Sequence, residues 1–173
     1  MNKSSIHLLG ITLVLLLAQV IVLNHVCLFG VAVPFAFIYV LLRLPLTLSQ
    51  NWVLTIAFIL GLTVDIFSDT QGMNALCCSM TAMLRKPTLR LYFPREDELS
   101  DPSPSISSLG FVTYMKYALS ISLLYSIFIF IIEAFSFFNF LILLLRIISS
   151  TILTTLLLIG VDSLTLPRRE KRL

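Results

Sequence analysis

An all-α polytopic membrane protein, with six transmembrane helices and both ends in the cytoplasm, is what this sequence predicts. Composition is the first reason: 58% of the 173 residues are hydrophobic, only 12% are charged, and the mean hydropathy is +0.99. Soluble domains are about 45–50% apolar and about 25% charged. A water-soluble fold of this size lacks the polar surface to cover so much apolar side chain. The second reason is run length, because several apolar stretches approach the ~20 residues a helix needs to cross the hydrocarbon layer. The third is charge placement, developed below. No intervening stretch is long enough for a second core, so residues 1–173 form one membrane domain.

The first predicted span is 6–23, preceded by Lys3 and followed by Asn24 and His25. It is too long for a signal peptide, and no small-x-small cleavage site follows it. The second, 26–44, carries Pro34, which is expected to kink it. The third, 52–67, opens at Trp52, an interfacial anchor residue. Asp69-Thr-Gln-Gly72 then forms a turn, and the run 73–84 is short enough to be either a span or a re-entrant segment. The polar stretch 85–110 holds Glu96, Asp97, Glu98, Asp101 and a Ser/Pro run, and is expected to be a loop. The fifth span, 111–135, places Tyr114, Lys116 and Tyr117 at headgroup depth, and the aromatic run from Phe135 to Phe140 marks the opposite interface. The sixth is 137–161, and 162–173 is a basic tail.

Charge decides whether 73–84 crosses. If it does, Lys3, Arg43, Arg85, Lys86, Arg90, Arg95, Lys116 and the four basic residues of the tail share one side, eleven of the twelve Lys and Arg. If it does not, the tail is separated from the Arg85–Arg95 cluster. Basic residues accumulate on the cytoplasmic side, so six spans are expected, with the 85–110 loop and the tail cytoplasmic.

The parts of an active site are missing. His7 and His25 lie near opposite ends of the first span and cannot meet; no HExxH, GxSxG or Walker sequence occurs. Cys27, Cys77 and Cys78 have no metal-binding spacing and read as small apolar residues within helices. Neither catalysis nor a metal or cofactor is expected. The net charge of +3 sits at helix ends and in loops, which argues for membrane orientation and against nucleic acid.

Three ionisable residues fall inside predicted spans: Asp65, Glu133 and Arg146. A charge facing lipid costs about 2.5–3.5 kcal/mol even on insertion scales, so each should point into the bundle. Asp65 lies about 20 Å from Trp52 and Arg146 about 13 Å into the sixth span, depths that put the two within reach. Asp65 is therefore expected to neutralise Arg146. Arg146 also begins a stripe with Ser150 and Thr154, flanked by Ser149 and Thr151. Small polar residues at helical spacing let membrane helices approach closely, which makes the sixth span a packing helix.

The most informative stretch is Gly61-Leu-Thr-Val-Asp65-Ile-Phe-Ser-Asp-Thr-Gln-Gly72-Met-Asn74-Ala75. Gly61 and Asp65 share a helix face, a polar turn follows, and Gly72 opens the next helix, where glycine permits a backbone angle closed to other residues. This pattern resembles the signature of the rod shape-determining protein MreD family. Chain length, six predicted spans, Pro34 early in the second and the basic tail fit that family as well. Members often carry a polar pair such as Pro-Asp where this chain has Pro34-Phe35, which leaves that position without an assigned role.

The resemblance implies a non-catalytic subunit of the bacterial inner membrane that supports peptidoglycan synthesis during cell elongation. Its implied partners are MreC and, through the complex, the actin-like MreB, the RodA glycosyltransferase and a class B penicillin-binding protein. It also implies a helical arrangement similar to the substrate-binding subunits of energy-coupling-factor vitamin transporters, the alternative function class. Against that alternative, the first span presents only Ala18 as a small residue among Leu13–Val22, and the loops joining spans one to two and five to six are expected to be nearly absent.

Overall fold

The computed structural model describes residues 3–23, 32–93, 103–134 and 140–165. His25, Cys27, the start of the second predicted span, the Glu96–Asp101 acids, residues 135–139 of the aromatic run and the basic residues of the tail lie outside the described residues. Helix α1 (Lys3–Ala18) runs into a π-helical turn, Gln19–Leu23. After it come α2 (Ile38–Arg43), α3 (Gln50–Ser68), α4 (Met73–Tyr92), α5 (Ile106–Leu109), α6 (Phe111–Glu133) and α7 (Phe140–Thr165). There is no β-strand among the described residues.

Of these, α3, α6 and α7 are long and apolar enough to cross a membrane, and the chain is a helical membrane protein. The apolar part of α1, Gly10–Ile21, is shorter. Phe58, Ile59 and Ile66 on α3 and Leu141, Ile148, Ile152 and Leu156 on α7 point outward, as expected where hydrocarbon is the solvent. The helices pack in the order α3 on α4, α4 on α6, α6 on α7, with the short α2 touching α4, α6 and α7.

The second predicted span is corrected most. Residues 32–37 are not helical, so Pro34 does not kink a helix there; the chain resumes helical form only at Ile38. Proline has no amide hydrogen and pushes its predecessor toward extended backbone. The groups thus freed find side chains. Ser150 Oγ accepts from the Val33 amide at 3.0 Å, and Thr154 Oγ1 from the Phe35 amide at 3.2 Å. Gln19 accepts from the Ala36 amide at 2.8 Å and donates to the Pro34 carbonyl at 3.0 Å. Non-helical backbone survives inside a membrane protein only with such internal partners.

The run 73–84 is likewise corrected: α4 has 20 residues and continues through Pro87 to Tyr92, so the polar stretch 85–110 is not a simple loop. Its basic residues are held by the bundle. Arg85, 1% exposed, donates to the Leu44 carbonyl and, at 3.3 Å, to the Tyr117 hydroxyl; Lys86 donates to the Leu48 carbonyl at 3.3 Å. Farther along, Ser105 caps α5 through reciprocal hydrogen bonds with Ser108.

On α6, Tyr114 and Tyr117 are fully buried within the bundle. They share a helical face with Ala118, Ile121 and Tyr125, and that face looks inward. Helix α7 reaches Thr165, so residues 162–165 belong to it and not to a tail.

Candidate functional site

The five residues Gly61, Asp65, Gly72, Asn74 and Ala75 assemble into one device, the closure of the α3–α4 hairpin. Helix α3 ends with Asp69 in the left-handed region (φ 54°), and Gly72 at φ 78° turns the chain into α4. Gly61 lies where the two helices touch. A Cβ there would stand 2.5 Å from the Ala75 Cα and from the Asn74 carbonyl oxygen, closer than any real contact.

Asp65, 3% exposed, occupies the centre. One carboxylate oxygen accepts from the Asn74 amide at 3.0 Å, the Asn74 side-chain amide at 3.0 Å and the Thr70 hydroxyl; the other accepts from the Ala75 amide at 2.8 Å. A carboxylate thus caps the first turn of α4 from the preceding helix, where the helix dipole favours negative charge. Asn74 extends the cluster to α6 by accepting from the Tyr125 hydroxyl. Sequence reasoning missed Thr70 and Tyr125. The polar turn around Thr70 was a usable signal, whereas Tyr125, 51 residues from Asn74, left none.

The expected Asp65–Arg146 pair does not form. Arg146 Nη1 instead lies 3.7 Å from Glu133, with side chains 41% and 51% exposed. Depth alone was a poor guide, because α4 and α6 intervene between α3 and α7, while Glu133 ends the helix next to α7. Asp65 also has no need of a cation, since four donors already meet it. Within the stripe Arg146, Ser150 and Thr154, the last two are fully buried and bond the 33–35 backbone, but Arg146 turns outward to Glu133.

Two buried charges were not foreseen. Arg85 was assigned to a loop, and Asp162 to the tail. Asp162, fully buried, accepts from the Tyr39 hydroxyl at 3.0 Å and the Ile106 amide at 2.9 Å, with Arg43 Nε at 3.7 Å. It ties α2, α5 and α7 together.

No family model, curated protein or solved structure matches this chain.

Beside the hairpin closure lies a cavity of about 430 Å³. Its walls come from the π-helical turn (Gln19, Val20), the unwound segment (Val33, Phe35, Phe37), the ends of α3 and α6, and the start of α4. Among the described residues, Glu133 is its one charged lining residue. The size falls within the ~300–1,000 Å³ of small-molecule sites. Among the described residues, the other polar side chains lining it are Gln19, Ser68, Thr70 and Asn74, which suit binding. Val33, Phe35 and Phe37, expected within the second span, are non-helical and form a cavity wall, while the expected connection between the first two spans lies outside the described residues.

Proposed function

We propose that this chain is a non-catalytic subunit of the bacterial cell-elongation complex, an MreD-like protein of the inner membrane that crosses it six times with both ends cytoplasmic. It would scaffold peptidoglycan synthesis by binding MreC and, through the complex, MreB, RodA and a class B penicillin-binding protein. The observation that carries this reading is the convergence of Gly61, Asp65, Gly72, Asn74 and Ala75 on a single hairpin closure, where each is used. The one-sided placement of Lys and Arg supports the topology.

Depletion from a rod-shaped host tests the function: cells should round and widen without acquiring a nutrient requirement, and MreC should co-purify from gently solubilised membranes. Reporter fusions active only outside the cytoplasm should be silent at Ser105 and after Leu173 and active after Asp69. An active fusion at Ser105 would break the six-span topology.

The cavity favours a second reading, a substrate-binding subunit of a vitamin transporter of the energy-coupling-factor type. Depleted cells that keep their shape but need an added vitamin would put that reading in place of the first.

A further inference from the structure

We propose that the cavity between the hairpin closure, the unwound segment and the end of α6 binds a small protonated amine with an apolar body, its ammonium group at Glu133. The case begins with the direction of the hydrogen bonds around Asp65. The Thr70 hydroxyl hydrogen goes to Asp65. The Asn74 side-chain amide donates toward Asp65 and Thr70 Oγ1 together, two acceptors too close to each other to take one hydrogen each. Gln19 Nε2 donates to the Pro34 carbonyl. Thr70 Oγ1, whose hydrogen is committed to Asp65, and Asn74 Oδ1 can meet a ligand only as acceptors.

An anionic ligand would meet the Glu133 carboxylate at the cavity edge. A ligand that carries donors and positive charge meets the opposite situation, with acceptors on one wall and a carboxylate at the edge. The remaining wall suits the rest of such a molecule. Phe35 and Phe130, ring centroids 6.3 Å apart and inclined at 60°, both line the cavity. Aromatic faces attract cations as well as apolar groups.

Glu133 is available for this role. Its partner Arg146 is about as exposed as Glu133 itself, at a separation of 3.7 Å, and ion pairs of that kind are weak. A ligand ammonium can therefore replace the guanidinium without dismantling the fold. The unwound segment, fixed by Gln19, Ser150 and Thr154, keeps the Phe35 wall in place before any ligand arrives. This inference is independent of the scaffold reading, since binding by the purified chain and the shape of depleted cells can fail separately.

The full chain in lipid nanodiscs would be titrated with three probes sharing one ring: 2-phenylethylamine, the neutral 2-phenylethanol and the anion phenylacetate. The amine should bind, the alcohol roughly tenfold more weakly, as loss of one charge-assisted hydrogen bond implies, and phenylacetate not measurably. Glu133→Gln should weaken amine binding by about tenfold and leave the alcohol unchanged. Arg146→Gln should tighten amine binding by removing the competitor. Both residues are partly exposed, so melting temperatures of the variants should match the parent and report an intact fold. Equal affinity for amine and alcohol, indifference of the amine to Glu133→Gln, or no amine binding at millimolar concentration would each overturn the proposal.

Discussion

Replacing Asp65 by alanine removes the acceptor that closes the α3–α4 hairpin. The buried Asn74 and Ala75 amides then lose their partner, while the Thr70 hydroxyl and Asn74 side chain retain their 3.2 Å bond to each other and Asn74 keeps that from Tyr125. Loss of a cap acceptor costs about 0.5–2 kcal/mol, and each buried donor left unsatisfied about 1–3 kcal/mol. Two backbone amides and two partly compensated side chains give an expected loss of about 3–5 kcal/mol for Asp65→Ala. Asp65→Asn keeps one acceptor and forfeits the charge at the α4 dipole, so roughly 1–2 kcal/mol is expected. Reversible unfolding in mixed micelles, titrated with dodecyl sulfate and followed by helical circular dichroism, reads both values. A loss below about 1 kcal/mol for Asp65→Ala would refute the capping argument, because even a single cap is worth that much. A cycle combining Asp65→Ala with Arg146→Gln should show additivity within about 0.5 kcal/mol, as sites without contact do. Strong coupling would restore the Asp65–Arg146 ion pair in place of Glu133–Arg146.

The Gly61→Ala variant should lose about 1–3 kcal/mol in the same assay, since its methyl group would press on the backbone of Ala75 and the two helices must part. An unchanged stability would mean that the hairpin is looser than its closest contact. Thr154→Val, nearly isosteric, should expose the Phe35 amide to faster hydrogen exchange and cost about 1–3 kcal/mol, while amides of α3 stay protected. Asp162→Ala should release α5 from α2 and α7, seen as faster exchange at the Ile106 amide and protease cleavage within 103–110. No change in either would mean that α5 is held by other contacts.

The apolar runs that became α3, α6 and α7 were legible because lipid rewards a continuous apolar stretch wherever it occurs. The membership of the hairpin cluster was legible for a local reason: Gly61, Asp65, Gly72, Asn74 and Ala75 are close in sequence, so one pattern holds them all. What escaped was decided at long range. Helix α4 runs past Leu84 because Leu44, Leu48 and Tyr117 receive the donors of Arg85 and Lys86, which makes basic residues tolerable inside the bundle. Residues 32–37 unwind because Ser150 and Thr154, more than a hundred positions away, take up the amides that a helix would otherwise bond. Asp162 looked like part of a charged tail, since its partners Tyr39 and Ile106 are remote in sequence. The cavity follows from the unwound segment, so it was invisible for the same reason.

That unwound segment also sets an order of events during biogenesis. Its amides at Val33 and Phe35 are satisfied by side chains of α7, which is synthesised much later, across separations of 117 and 119 residues. Until α7 is made, this stretch has to remain in water, in the insertion machinery or in some provisional pairing. The α3–α4 hairpin, whose closing bonds span only nine or ten residues, can insert and lock long before. Arrival of Ser150 and Thr154 is then the step that completes the wall of the cavity, and a chain truncated before them would carry a finished hairpin and an unfinished cavity.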